Sequence, residues 1–150
     1  MQSKQVCNDF NLIMNTNLNS KNRLLEYGVK PSLQRMAVMN YLLEHKTHPT
    51  ADMIFNDLQP NIPTLSKTTV YNTVKLLAEN GAILAINIDE KNQRFDGDIS
   101  QHAHFLCKTC GEIYDIPITD LQVSHSEKCT ENFSITETQL YYKGFCKKCK

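Results

Sequence analysis

The 150-residue chain has no run of 18 consecutive apolar residues, so no segment is predicted to span a membrane. Its first residues also lack the apolar stretch of a secretory signal, which indicates a cytoplasmic protein. A charge excess of one sign is missing too, because 16 Lys and Arg residues balance 16 Asp and Glu residues. Bulk charge therefore gives no support for a nucleic-acid partner, and any basic surface must be local. No internal repeat or low-complexity tract appears.

What the chain does have is enough apolar sequence for a core. Hydrophobic residues make up 41% of it, and its length suits one ordinary domain or two small ones. A compact chain of this length buries roughly 70% of its unfolded surface. We therefore expect a folded globular protein.

Apolar periodicity in the first two thirds predicts helices followed by a β-hairpin. The predicted helices cover residues 22–27, 31–45, 50–58 and 67–80, and the hairpin strands cover 83–88 and 93–96. This order is typical of a winged helix-turn-helix domain, which we assign to residues 20–98. Residues 1–19 are predicted to form an N-terminal arm or a leading helix.

The last third predicts a small α/β unit, assigned to residues 99–150 as a metal-binding dimerisation domain. Strands are expected around residues 103–106 and 112–116, followed by a helix over 119–129 and a last strand over 134–145. The predicted fold class is thus α+β, with a winged-helix domain and a smaller domain that contains a four-cysteine zinc site.

Two CxxC pairs carry the strongest chemical signal in this second unit, and they comprise Cys107, Cys110, Cys146 and Cys149. Four thiolates suit a closed, tetrahedral, structural Zn²⁺ site, and a reducing compartment favours metal binding over disulfides. Redox dithiols are the alternative, but neither pair lies in the βαβ pattern expected for them. Cys7 and Cys129 have no such partners and are interpreted as plain residues.

The helix over residues 67–80 is the candidate DNA-reading element because it directly precedes the hairpin. Its outward face offers groups that contact phosphates and base edges, namely Lys67, Thr68, Thr69, Tyr71, Asn72 and Lys75. The alternative is an amphipathic helix whose polar face meets only water, and this segment alone leaves both interpretations open. Dimerisation would let two weakly basic faces act together on DNA.

A second set of metal ligands is suggested by His102 and His104, which project from one face of a predicted strand. Imidazole binds iron, manganese, copper, nickel or zinc. Asp96 ends the predicted strand before His102, and Asp115 lies on the predicted strand after Cys110. His48 lies in a loop after a helix. Each of these three residues could also be an ordinary loop residue or a solvated strand end. Spacing alone therefore does not decide which residues bind a metal.

Several motifs resemble the ferric uptake regulator family, in the order seen there and over roughly residues 20–149. They read THPTAD at 47–52, TVYN at 69–72, RFD at 94–96 and HAHFLCKTCG at 102–111. Within that family the peroxide-responsive branch is most similar. The resemblance implies that a regulatory Fe²⁺ or Mn²⁺ is bound by three histidines and two aspartates, here His48, Asp96, His102, His104 and Asp115.

Two departures refine this expectation. Iron-sensing members more often have glutamate where this chain has Asp96 and Asp115. The His-His-Asp-His run of a further metal site reads Gln101-His102-Ala103-His104 here. The resemblance therefore implies that this additional site is absent.

The function implied by the resemblance is that of a homodimeric, metal-dependent repressor of double-stranded operator DNA. Hydrogen peroxide would react with bound Fe²⁺, and the radical formed would oxidise His48 or His102 to 2-oxo-histidine. Loss of a ligand would then release the DNA, whereas Mn²⁺ would support DNA binding without this reaction.

Three alternatives remain. The first is an iron-sensing or zinc-sensing repressor on the same scaffold. The second is a metal-dependent hydrolase, which needs an open metal position and a general base. The chain offers no obvious base, and the helix–hairpin half would have no role, so we expect that it is not an enzyme. The third is a zinc-stapled interaction module, which would show no metal-dependent DNA binding.

Overall fold

The structure, a computed structural model, describes residues 19–119 and 133–150. It divides into two units, Met1–Ile99 and Ser100–Lys150. The predicted arm over residues 1–19, apart from its last residue, lies outside the described residues. So do Cys7, Cys129 and nearly all of the helix predicted over 119–129.

Four helices make up most of the first unit: α1 (residues 19–26), α2 (Leu33–Glu44), α3 (Ala51–Leu58) and α4 (Lys67–Glu79). Hydroxyl side chains at Ser32, Thr50 and Ser66 begin the last three helices by accepting a backbone N–H from the first turn. Gly28 follows α1 with a φ of +70°, the left-handed conformation that ends many helices. Local capping chemistry thus sets where these three helices begin. α2 begins at Leu33 and not at the predicted residue 31, and α1 covers residues 19–26 and not the predicted 22–27.

A two-stranded antiparallel hairpin follows α4, formed by β1 (Leu84–Ile86) and β2 (Arg94–Asp96). Buried apolar residues from all four helices and from β2 form one core, including Leu24, Val38, Leu42, Ile54, Val70, Val74, Leu77 and Phe95. The apolar stripe of α4 faces this core, so its polar stripe faces outward. The helix–hairpin order is the one predicted for a winged helix-turn-helix.

The second unit is built on a three-stranded sheet of order β4-β3-β5. Its strands are β3 (His102–Cys107), β4 (Ile113–Pro117) and β5 (Tyr141–Gly144). β3 pairs antiparallel with β4 and parallel with β5. The mixture of helices and strands over both units confirms the α+β fold class.

The last strand is much shorter than the predicted 134–145. In the parallel register His104 pairs with Tyr141 and Cys107 with Gly144. Residues before 139 would, in this register, lie beyond His102, where β3 begins. The predicted bounds of this strand are therefore wrong, because the strand extends only as far as its partner strand pairs with it. Within the described parts of the chain, no helix has the length and apolar character needed to cross a membrane.

Candidate metal centres and nucleic-acid interface

The two CxxC pairs meet because β3 and β5 are adjacent parallel strands. Cys107 ends β3, and the second pair follows directly after β5. The four sulfur atoms of Cys107, Cys110, Cys146 and Cys149 lie within 4.8 Å of one another. Cys110 Sγ and Cys146 Sγ are 3.9 Å apart. A tetrahedral Zn²⁺ with Zn–S bonds of about 2.3 Å requires sulfur separations of roughly 3.8 Å, so this cluster fits a zinc site.

Backbone hydrogen bonds favour the thiolate form of Cys107 in particular. The backbone N–H groups of Cys110 and Cys146 lower the pKa of Cys107 to about 6, with the larger effect from Cys110. By contrast, hydrogen bonding with Cys146 raises the pKa of Cys149 to about 12. Without a cation, ionisation of one thiol thus disfavours ionisation of its neighbours. Because metals bind the thiolate form, a bound Zn²⁺ would remove this conflict.

A second cluster in the same unit joins two histidines and an aspartate on β3 and β4. His104 pairs with Asp115 in the strand register. His102 Nε2 lies 3.0 Å from His104 Nε2 and 3.4 Å from Asp115 Oδ1. His104 Nε2 lies 3.8 Å from the same carboxylate oxygen. Three donor atoms thus converge, and such nitrogen and oxygen donors suit a metal ion.

The ring of His102 is oriented by its second nitrogen. His102 Nδ1 lies 2.8 Å from the carbonyl oxygen of Ser100, close enough for Nδ1–H to donate to it. That assignment leaves the Nε2 lone pair directed toward the cluster. The serine carbonyl therefore supplies the outer hydrogen bond that typically orients a metal-binding histidine.

The first unit contains a histidine–aspartate pair of its own. His48 lies in the loop between α2 and α3, and Asp96 ends β2. His48 Nε2 is 3.5 Å from Asp96 Oδ2, and both side chains are buried. The other oxygen, Asp96 Oδ1, accepts the backbone N–H of Asp98 at 2.8 Å. The first unit thus contains two of the predicted ligands, and the second unit contains the other three.

Gly97, which follows Asp96, packs directly against α2. A Cβ at this position would lie 2.6 Å from the carbonyl oxygen of Leu42. Arg23 of α1 also donates to the Gly97 carbonyl oxygen at 3.1 Å. The backbone after Asp96 is therefore held between two helices, a constraint that the sequence pattern did not reveal.

Replacing Gly97 with alanine should displace Asp96, because the backbone must move away from Leu42. We expect a loss of roughly 1–3 kcal/mol in unfolding free energy and weaker Mn²⁺ binding. Gly28→Ala is the matched control, since a Cβ there has no neighbour within 4 Å. That control should lower stability through its positive φ but leave Mn²⁺ affinity unchanged. Denaturant unfolding measures the stability of each variant, and Mn²⁺ titration measures its affinity for the ion. A Gly97→Ala variant with the Mn²⁺ affinity of the wild type would contradict the expectation.

The polar face of α4 is available to a ligand at some predicted positions and occupied at others. Thr68, Tyr71, Asn72 and Lys75 are exposed. Lys67 instead pairs with Asp52 of α3 at 3.0 Å. The Thr69 hydroxyl lies 2.8 Å from Ser66 Oγ at the helix start. Lys75 also pairs with Glu79 of the same helix, at a longer distance of 3.8 Å. Tyr71 and Asn72 are therefore better placed for DNA contacts than Lys67 and Thr69.

Residues outside α4 extend this surface. A cavity of ≈ 340 Å³ between α4 and the hairpin is lined by Tyr71, Asn72, Lys75, Asn92 and Gln93, among others. A second cavity of ≈ 340 Å³ lies between α4 and the start of α2, where Lys30 and Arg35 add positive charge. Sequence patterns did not indicate these four flanking residues, because only the fold brings them beside α4.

Comparison with known proteins agrees with this architecture. The model of the ferric uptake regulator family matches residues 26–143. The peroxide-responsive repressor of Staphylococcus epidermidis is 33% identical over 128 residues, which are 85% of each chain. Its counterpart from Staphylococcus aureus strain USA300 is 31% identical over 85% of this chain and 86% of that one.

Solved structures show the same fold. The Campylobacter jejuni peroxide stress regulator aligns with a TM-score of 0.64 at 28% identity, over 86% of this chain and 95% of that one. The manganese-containing ferric uptake regulator of Pseudomonas aeruginosa aligns with a TM-score of 0.67 at 20% identity, over 85% and 98%. The chain therefore belongs to the ferric uptake regulator family and is a metal-responsive regulator.

Proposed function

We propose that this chain is a repressor whose binding to double-stranded operator DNA depends on a regulatory Fe²⁺ or Mn²⁺ ion. Its ligands would be His48, Asp96, His102, His104 and Asp115. The observation that carries the proposal is that each unit contains a histidine–aspartate cluster without a thiolate. Nitrogen and oxygen ligands without sulfur suit Fe²⁺ and Mn²⁺. The four cysteines would separately bind a structural Zn²⁺.

The chain's own residues would convert ion binding into DNA affinity. His48 and Asp96 belong to the helix–hairpin unit, and the other three ligands belong to the sheet unit. Binding one ion with both sets restricts the orientation of the units. The ion acts as an effector only through its higher affinity for the orientation that binds DNA.

A homodimer is part of this proposal, since two recognition helices must match two half-sites about one helical turn apart or a multiple of it. One face of the sheet offers apolar side chains for such an interface. Phe105 pairs with Tyr114 and Tyr142 across the strands, and Tyr114 and Tyr142 are 36% and 46% exposed. Ile116 lies on the same face at 37% exposure. Partly exposed aromatic residues are frequent in protein interfaces.

Separate substitutions on α4 should distinguish base reading from phosphate contact. Asn72→Ala should weaken the free energy of DNA binding by about 1–3 kcal/mol and relax the sequence preference at the one base pair that Asn72 contacts. Lys75→Ala should weaken binding to all sequences and lower the salt-dependence slope by about 1. Lys108→Ala, an exposed substitution in the other unit, is the control. Fluorescence anisotropy over a salt series measures these effects, and unchanged binding in both α4 variants would exclude α4 as the reading helix.

We further propose that the signal is hydrogen peroxide. Two of the similar proteins are named peroxide-responsive repressors, and both acidic positions carry aspartate. A bound Fe²⁺ would supply the redox chemistry that activates hydrogen peroxide beside the ligand histidines, and the two electrons that reduce the peroxide would come, in net terms, from the imidazole ring. His48 or His102 would gain one oxygen atom at imidazole C2, and the other peroxide oxygen would leave as water. The modified ring binds the ion poorly, so the units are released from the DNA-binding orientation.

DNA binding with and without Mn²⁺ tests the first proposal. The probe is a set of duplexes selected from a random-sequence pool by the zinc-loaded full chain in the presence of Mn²⁺. We expect Mn²⁺ to raise affinity for the selected duplexes on the order of 10- to 100-fold. Enrichment of no sequence, or equal affinity in the presence of a chelator, would contradict a metal-dependent repressor and favour a zinc-stapled interaction module.

A further inference from the structure

We propose that Arg94 is a positioning residue that couples the regulatory metal site to the wing. The wing is defined here as the β1–β2 hairpin with its connecting residues 87–93. The inference rests on the proposed function, because it concerns how ion binding at His48 and Asp96 reaches the DNA-binding surface. Its basis is that one guanidinium group holds both the wing turn and the loop of His48.

On the wing side, Arg94 binds the residue that shapes the turn. Asp89 Oδ1 accepts the backbone N–H of Lys91 at 3.0 Å. Asp89 Oδ2 accepts Arg94 Nε at 3.1 Å and Nη2 at 3.0 Å. The two side chains are only 17% and 18% exposed, so solvent screens this ion pair weakly. The Lys91 N–H and then the Arg94 guanidinium hold the pKa of Asp89 below its usual value.

On the metal side, the same guanidinium reaches the backbone of a proposed ligand. Arg94 Nη1 donates to the carbonyl oxygen of His48 at 3.4 Å. The next residue, Phe95, donates its backbone N–H to the Pro49 carbonyl oxygen at 3.0 Å. Arg94 and Asp96 lie two positions apart on β2, so their side chains project from one face. Three consecutive residues of β2 therefore contact or face the His48–Pro49 segment.

The backbone conformation of His48 depends on these contacts. Its φ is +51°, which a non-glycine residue rarely adopts. Such a conformation persists only when surrounding contacts impose it. The hydrogen bonds from Arg94 and Phe95 are contacts of this kind. The direction of the His48 imidazole is thus tied to β2, and through Arg94 to the Asp89 turn.

This arrangement gives the RFD motif a role beyond its aspartate. The wing residues Asn92 and Gln93 line the cavity beside α4, so the turn geometry shapes the surface proposed to bind DNA. When an ion fixes His48, the Arg94 guanidinium can hold Asp89 and the turn in one position. Lysine cannot replace this function, because one ammonium group cannot match the fork of donors that reaches two sites.

The test compares Arg94→Lys and Asp89→Asn with a control in the same turn, Lys91→Gln. Asparagine keeps an acceptor for the turn but removes the carboxylate that binds Arg94. For each zinc-loaded full chain, affinity for the Mn²⁺-selected duplexes is measured with Mn²⁺ and with chelator. Mn²⁺ binding to the free protein is measured by electron paramagnetic resonance. The readout is the Mn²⁺-induced gain in DNA affinity, which a purely structural role would leave intact in a folded, Mn²⁺-binding variant.

We expect the gain to fall about tenfold in each variant, with one Mn²⁺ still bound per regulatory site. The double variant should show no further loss, since both changes remove the same contact. Lys91→Gln should keep the full gain. Variants that fold, bind Mn²⁺ and keep the wild-type gain would overturn the coupling role, and Asp89→Asn decides alone if Arg94→Lys fails to fold. A wild-type chain without any Mn²⁺-induced gain would overturn the proposed function itself.

Discussion

Hydrogen peroxide is expected to abolish DNA binding by the Fe²⁺-loaded protein and to add one oxygen atom to the peptide that contains His48 or His102. Both rings belong to the histidine–aspartate clusters, so an oxidant formed at the ion would reach them before diffusing away. The Mn²⁺-loaded protein should keep both its mass and its DNA affinity. Intact mass, peptide mass and anisotropy measured on the same samples give the result.

An Asp115→Glu variant provides a sharp comparison for this experiment. Glutamate keeps a carboxylate at a position paired with His104 but changes its reach. A variant that retains metal-dependent DNA binding but loses the response to peroxide would support peroxide sensing. If DNA is released from the wild type while both histidines keep their original mass, oxidation of a ligand histidine is excluded. No release at all would favour the iron-sensing or zinc-sensing alternative.

Loss of the four-cysteine site is expected to unfold the unit of residues 100–150. In zinc-finger peptides, structural Zn²⁺ contributes apparent binding free energies of roughly 10–16 kcal/mol, which is comparable to the whole stability of a typical domain. Cys146→Ser should therefore remove the bound zinc and the protection of β3 and β5 from hydrogen exchange. Zinc content by mass spectrometry and amide exchange of the full chain measure both effects.

Lys147→Ser is the matched control, because it places the same new residue inside the same CxxC segment at an exposed position. It should keep full zinc content and normal exchange protection. A Cys146→Ser protein without zinc whose β3 and β5 amides remain protected would show that the metal does not stabilise this sheet. Redox chemistry of the thiols would then have to be reconsidered.

Most of the fold could be predicted from the sequence, because the residues that begin and end its helices act on neighbouring residues. Ser32, Thr50 and Ser66 cap helices within their own first turn, and Gly28 ends α1 by its own φ. Such interactions can be recognised from neighbouring residues alone. The length of β5 could not be predicted in this way, because it depends on where β3 begins in a different part of the chain.

The same distinction between local and long-range interactions applies to the candidate site. The CxxC spacing predicted the cysteine cluster, and the HxH spacing placed His102 and His104 on one strand face. The contacts that orient the ligands were not predictable, because they join residues distant in sequence. Arg94 reaches His48 across 46 positions, and Arg23 reaches Gly97 across 74. The RFD motif drew attention to Arg94 but gave it no physical role until the fold was known.

Mn²⁺ binding by ligand variants from both units tests the central claim most directly. Asp96→Ala comes from the first unit and Asp115→Ala from the second, and Lys108→Ala serves as the control. Electron paramagnetic resonance titration of the zinc-loaded chains should give one regulatory Mn²⁺ per wild-type and control chain. Both ligand variants should lose at least about 10-fold in Mn²⁺ affinity, since even the loss of a residue that hydrogen-bonds to a metal ligand commonly costs about 10- to 100-fold. Wild-type affinity in either variant would contradict a single regulatory ion held by both units.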